Sequence, residues 1–285
     1  MEIKALIPTG EIILSKNIDD YPDGIIIPID KPYRWTSADV IRKIKYVACR
    51  HFGKKKLKVG HAGTLDPLAT GVLLVCIGNA TKLAENLQSH HKEYIAGISF
   101  GATTPSYDLE KEVDMKYPYE HITEEKVEKA LEEFIGEQDQ IAPLFSAKSI
   151  DGVRAYELAR KLYKTDPSSI GSATLDLIRT SRIEIFSAKL MRFLPQNVEI
   201  EGENVSREED GASSRIKVFS TSHLGLPRAD VRLSCTKGTY VRAFARDLGE
   251  AVGSGAHLDG LIRSKSGIFY LENSLSIEKA IALFA

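Results

Sequence analysis

The residues Lys58-Val59-Gly60-His61-Ala62-Gly63-Thr64-Leu65-Asp66-Pro67-Leu68-Ala69-Thr70-Gly71 carry the most chemistry in the chain. They set one histidine and one aspartate among three glycines, between two apolar runs. Glycine lets a backbone turn tightly or approach a ligand closely. Pro67 steers Asp66 away from helical geometry and into an extended conformation. A carboxylate on such a loop, just before a buried strand, is placed to project into a cleft. The same residues also suit a plain turn, in which Asp-Pro bends the chain and the glycines serve the backbone. On these residues alone both readings stay open. No Walker or dinucleotide-binding fingerprint competes with them.

The elements that must position this loop are legible. Ile25 to Ile29 reads as a strand, ended by Asp30-Lys31-Pro32. Thr36 or Ser37 caps a helix to about His51, with Val40, Ile44, Val47 and Ala48 on one face. Val72 to Ile77 is a continuous apolar run between two glycines and reads as a fully buried strand. Tyr94 to Gly101 reads as another strand. Thr123 caps a helix whose apolar stripe is Val127, Ala130, Leu131, Phe134 and Ile135, stopped by Gly136. Arg154 to Lys164 has a helical pattern. Val231 to Cys235 reads as a strand, and Thr239 to Val252 as a helix with Arg242 and Arg246 on a face apart from its core residues. Strands and helices mix without a βαβ rhythm, which predicts an α+β fold with a mixed, largely antiparallel sheet flanked by helices.

The 285 residues suffice for one large domain or two small ones. Cys49, Cys76 and Cys235 are scattered, and the seven histidines do not join them at ligand spacing, so idle thiols and no structural metal are expected. No run is long enough to cross a bilayer and no secretory pattern opens the chain, so a cytoplasmic location is expected. The net charge of −1 speaks against a nucleic-acid partner, yet its distribution does not. Arg42 to Lys58 holds eight basic residues and no acidic one, while acid collects between Asp108 and Asp139 and between Glu199 and Asp210. Such a run is equally a solvated loop or a nucleic-acid face.

Several motifs in order change the balance. Gly63-Thr64-Leu65-Asp66-Pro67 resembles the signature of the TruB family of tRNA pseudouridine synthases. Asp30-Lys31-Pro32 with Thr36-Ser37 resembles the family's N-terminal motif. Lys92-Glu93-Tyr94, Phe100-Gly101, Thr103 and Asp108 resemble the segment carrying its active-site tyrosine. Pro143-Leu144-Phe145-Ser146-Ala147-Lys148, Gly152 and Tyr156 to Arg160 resemble its RNA-gripping insertion. Cys235 to Arg242 resembles its arginine motif, and Gly255 to Leu258 with Leu261 and Arg263 completes the set.

The resemblance implies the pseudouridine synthase catalytic fold in a single domain, with an RNA-binding insertion at about 140–170 and a variable insert at about 193–228. The small C-terminal domain called PUA is expected to be absent, because about eighteen residues follow Gly267. The implied reaction isomerises uridine 55 in the T-loop of tRNA, with the T-stem-loop as partner. Asp66 would be the nucleophile, Arg242 its partner, and Tyr94 would stack on the base and assist loss of the C5 proton. His61, Tyr240, Leu261, Lys31 and Lys148 would contact substrate. Nothing is oxidised and no group is imported, so no cofactor or metal is expected, and the chain is expected to act as a monomer. A hydrolytic glycosidase would want a second carboxylate near Asp66, and none is obvious. Phosphate contacts would come from Arg42 to Lys58 and from Arg154, Arg160, Lys161 and Lys164. The rival readings are an RNA-folding protein without activity and a synthase of another RNA.

Overall fold

Val72 to Ile77 offers water no polar side chain, and in the computed structural model of the chain each of these residues is fully buried. The structure describes residues 3–10, 12–143, 145, 149–150, 153–154, 180–197 and 216–285. The strands longer than two residues are β1 (Ile25–Lys31), β2 (Val59–Ala62), β3 (Ala69–Ile77), β4 (Lys92–Phe100), β5 (Gly136–Ile141), β6 (Thr180–Leu194), β7 (Arg228–Cys235) and β8 (Ala256–Ser266). The helices are α1 (Ser37–His51), α2 (Ala84–Ser89), α3 (Glu124–Glu132), α4 (Val241–Ala251) and α5 (Ile277–Ala282).

The chain divides into two compact units, Met1–Tyr94 with Ser206–Ile216 and Ile262–Ala285, and Ile95–Val205 with Lys217–Leu261. In the first, the strands follow the order β1–β3–β8, with β2 also paired to β3. Both β1 and β2 run antiparallel to β3. Ile26, Val72, Leu74 and Cys76 pack with Ala62, Leu87 and Phe269 as one core. Each large aliphatic side chain buried there stabilises the unit by roughly 1.5–3 kcal/mol. Thr36 caps α1 in a reciprocal box with Asp39, and Val40, Ile44 and Ala48 turn inward as their spacing predicts. His51, at the other end of α1, meets Phe52 and Phe284 edge to face. Its ring nitrogens face the carbonyl oxygens of Phe284 and Leu14, at 3.1 and 3.0 Å.

In the second unit the order is β4–β7–β6–β5. The β6–β7 and β5–β6 pairs are antiparallel, with two register shifts in the first. The mixed, mostly antiparallel sheet and its helices agree with the α+β expectation. Two local expectations are corrected. Helix α3 ends at Glu132, so Ile135 leaves the apolar stripe and is 53% exposed. Arg242 and Arg246, expected on a face apart from the core residues, are buried with them: α4 is buried almost all round, because carbonyl and carboxylate partners receive both guanidinium groups. The helical pattern from 155 to 164 lies outside the described residues, and Arg154 pairs in a short strand with Ser149.

Candidate active site

The loop between β2 and β3 is fixed one peptide at a time, all within the first unit. Arg263 on β8 is 1% exposed. Its guanidinium donates to the carbonyl oxygens of Val72 at 2.7 Å, Gly63 at 3.1 Å and Thr64 at 3.3 Å. Ser37, in the first turn of α1, donates its hydroxyl to the Leu65 carbonyl at 3.2 Å and accepts from the Leu65 amide at 3.0 Å. Lys31 Nζ donates to the carbonyls of Pro67, Pro32 and Trp35. The Arg34 amide also donates to Pro67, at 3.0 Å. Asp30 Oδ1 accepts from the Gly71 amide at 3.0 Å. The carbonyl of Asp66 itself accepts from the Ala69 amide. Buried backbone groups left unpaired would cost roughly 1–3 kcal/mol each. Side chains from three elements therefore hold the peptides on either side of Asp66, a half-buried residue.

Gly71, just inside β3, is there for a steric reason. Its φ is +98°, and a Cβ there would lie 2.3 Å from the Arg263 carbonyl oxygen. Only glycine lets β8 pass this close. Burial, and then the charge of Arg263, lower the pKa of His61 below the ordinary histidine value, favouring a neutral ring. Its Nδ1 is buried without a hydrogen-bond partner. Tyr94 is half-buried on β4. The residues before it are tied down: Lys92 Nζ closes the end of α2 on the carbonyls of Gln88 and His90, and Glu93 accepts from the Ser264 hydroxyl at 2.8 Å.

The remaining named residues belong to the second unit. Arg242 is 5% exposed and donates to the carbonyls of Ser106 at 3.1 Å and Phe145 at 2.9 Å. Its Nε lies 3.6 Å from Asp108 Oδ2. The other oxygen of Asp108 accepts from the Ser106 hydroxyl and the Glu110 amide. Three separate sequence motifs, around Asp108, Phe145 and Arg242, thus converge on one guanidinium. Tyr240 stands at the start of α4. The buried Gln140 side chain grips its peptide from both sides, accepting from its amide at 2.8 Å and donating to its carbonyl at 3.2 Å. Leu261 is half-buried on β8.

Lys31, placed at the RNA by the resemblance, is fully buried and acts on the Asp66 loop. Lys148 lies outside the described residues, as do Arg160, Lys161 and Lys164. Sequence reasoning assigns no supporting task to Ser37, Gln140 or Arg263. Ser37 and Arg263 are marked only as members of motifs that the resemblance quotes, and Gln140 is one polar residue among several. Among the described residues, no three His, Cys, Asp or Glu side chains are grouped to hold a metal ion, and no helix is long and apolar enough to cross a membrane.

Residues 50–202 match the family model described as TruB family pseudouridylate synthase (N terminal domain). The chain is 46% identical over 259 residues to tRNA pseudouridine synthase B of Phocaeicola vulgatus, covering 91% of this chain and 92% of that one. It is 39% identical over 260 residues to tRNA pseudouridine synthase B of Flavobacterium johnsoniae, covering 91% and 95%. Among solved structures, a chain of a Cbf5-Nop10-Gar1 complex superposes with TM-score 0.56 at 23% identity, covering 96% of this chain and 59% of that one. A chain of an H/ACA RNP bound to a substrate RNA containing 2′-deoxyuridine gives TM-score 0.53 at 22% identity, covering 90% and 51%. The chain thus spans just over half the length of these two, and the likeness to them is one of fold.

Proposed function

The chain belongs to the TruB family of pseudouridylate synthases, and from that membership we propose that it isomerises uridine 55 in the T-loop of tRNA. The relatives' shared name supports tRNA as the substrate. The observation that carries the reading is the clamped loop: Ser37, Lys31 and Arg263 fix the peptides around one carboxylate. A nucleophile held this way loses little freedom when it meets the sugar.

In the proposed reaction the target nucleotide is first extruded from its stack. Asp66 attacks or stabilises the sugar C1′ as the bond to uracil N1 breaks. The trapped uracil turns, and C5 bonds to C1′ while any bond from C1′ to Asp66 breaks and returns the free carboxylate. The proton on C5 leaves, and N1 gains one, so atoms balance without a second reactant. Tyr94 is assigned to stacking on the uracil and to helping the C5 proton away. Arg242 is assigned as the cationic partner of Asp66, Tyr240 and Leu261 to enclosing the base, and His61 to stacking where the base has left.

The test uses tRNA carrying tritium at uridine C5. Wild-type protein should release the label, and Asp66→Asn should bind the RNA and release none. Release by the variant sinks the nucleophile assignment. Tight binding by wild type without release replaces the enzyme with an RNA-folding protein.

A further inference from the structure

Arg34, in the turn between β1 and α1, holds a backbone conformation that suits it badly. Its φ is +62°, in the left-handed region that strains most side chains and favours glycine or asparagine. The strain sits against the Asp66 loop, because the Arg34 amide donates to the Pro67 carbonyl at 3.0 Å. That bond uses only the backbone and needs no arginine. Strained residues of this kind cluster at active sites and ligand clamps.

The side chain is as little used as the backbone is strained. An arginine carries five N–H donors. Among the described residues one atom receives them: Nη2 donates to the Ile216 carbonyl at 3.0 Å. Nε is closed off from water without a partner, while Nη1 lacks a partner and is not closed off. No carboxylate among the described residues lies within 4.0 Å of the guanidinium. Lys31 and Arg263 differ, since these buried cations direct their donors to carbonyl oxygens around the same loop. Arg34 is half-buried, so its charge has lost part of its hydration and gained no anion in return. An anionic ligand would offset that loss, and a planar fork of donors matches a phosphate in particular.

We propose that Arg34 binds a backbone phosphate beside the uridine on which Asp66 acts. This rests on the function proposed above. Pro67, to which Arg34 is bonded, is the residue after Asp66, so the phosphate belongs to the target nucleotide or to one near it. The contact holds the extruded nucleotide by its backbone and is indifferent to the base.

The experiment uses T-arm hairpins in which one phosphate at a time is replaced by a neutral methylphosphonate, from two nucleotides before the target to two after it. Dissociation constants are measured for wild type, Arg34→Asn and Arg34→Lys, each checked for native circular dichroism. Asparagine accepts the left-handed backbone and removes the charge. Arg34→Asn should bind the unmodified hairpin about tenfold more weakly, the low end for a hydrogen bond to a charged group. At one phosphate the methylphosphonate should weaken wild type by a similar factor and Arg34→Asn hardly at all, the non-additive pattern of groups in contact. Arg34→Lys, a point charge in place of a fork, should recover part of the affinity. Losses that add at every phosphate overturn the proposal, as does a wild type indifferent to every methylphosphonate. Tritium release is followed in parallel. Wild type that shows the coupling but releases no label fails the reaction and leaves the phosphate site intact. Release without the coupling does the reverse.

Discussion

The Nη2 of Arg263 lies 3.1 Å from the carbonyl oxygen of Gly63, a residue 200 positions earlier in the chain. With its bonds to Thr64 and Val72, this one guanidinium joins both ends of the Asp66 loop to β8. A lysine keeps the charge but cannot reproduce a rigid fork of donors. Arg263→Lys should therefore lower kcat for tritium release by about 100-fold, the scale of a nucleophile misplaced by about 1 Å. KM for tRNA should change far less. Steady-state kinetics on protein of native circular dichroism checks this, and an unaltered kcat refutes the positioning role.

Two glycines with positive φ separate steric need from conformational preference. At Gly71 an added Cβ meets the Arg263 backbone, whereas at Gly53, φ +61°, it meets nothing within 4 Å. Gly53→Ala should cost only the left-handed conformation, about 1–2 kcal/mol. Gly71→Ala must also push β8 away and should lose clearly more, lowering Tm by several degrees beyond Gly53→Ala. Thermal melts of the two variants side by side decide it. Equal losses would mean that β8 can move freely.

His61 couples stability to acid. Burial, followed by the Arg263 charge, depresses its pKa, so folding favours the neutral ring. Its contribution is complete above the unfolded value of about 6.5 and is lost as pH falls below it, because the unfolded chain then binds the proton more readily. Replacing His61 with Phe should shrink the fall in Tm between about pH 7.5 and about pH 5.5. An unchanged fall would remove His61 from the acid response.

The thiols should divide by burial. Burial pushes the Cys76 thiol up to about 11, while Cys49 is the one of the three that is not fully buried. Alkylation of folded protein at neutral pH should mark Cys49 and spare Cys76 and Cys235, as peptide mass mapping would reveal. Modification of Cys76 without unfolding would contradict a closed β3 core.

Much of the frame was legible because its signals are local. An unbroken apolar run made β3, and Thr36 three residues before Asp39 made the capped start of α1. What stayed hidden depends on partners far away in sequence. Helical spacing set Arg242 and Arg246 apart from the core, yet both are buried, since periodicity cannot see the carbonyls of Ser106, Phe145 and Ile141 waiting for them. Asp66 stood out through its glycines and proline. The clamp that gives its loop one conformation did not, for Ser37 and Arg263 act across 28 and 200 residues.

That long-range clamp gives the loop a place in time. A ribosome adds roughly 5–20 residues per second, so Gly63 emerges some 10–40 s before the arginine that will hold it. Until β8 has been synthesised the peptides around Asp66 lack three of their bonds, and the nascent chain holds the loop only through Asp30, Lys31, Arg34 and Ser37. Synthesis thereby acts as a timer: the loop gains its last three side-chain bonds only once β8 has left the exit tunnel.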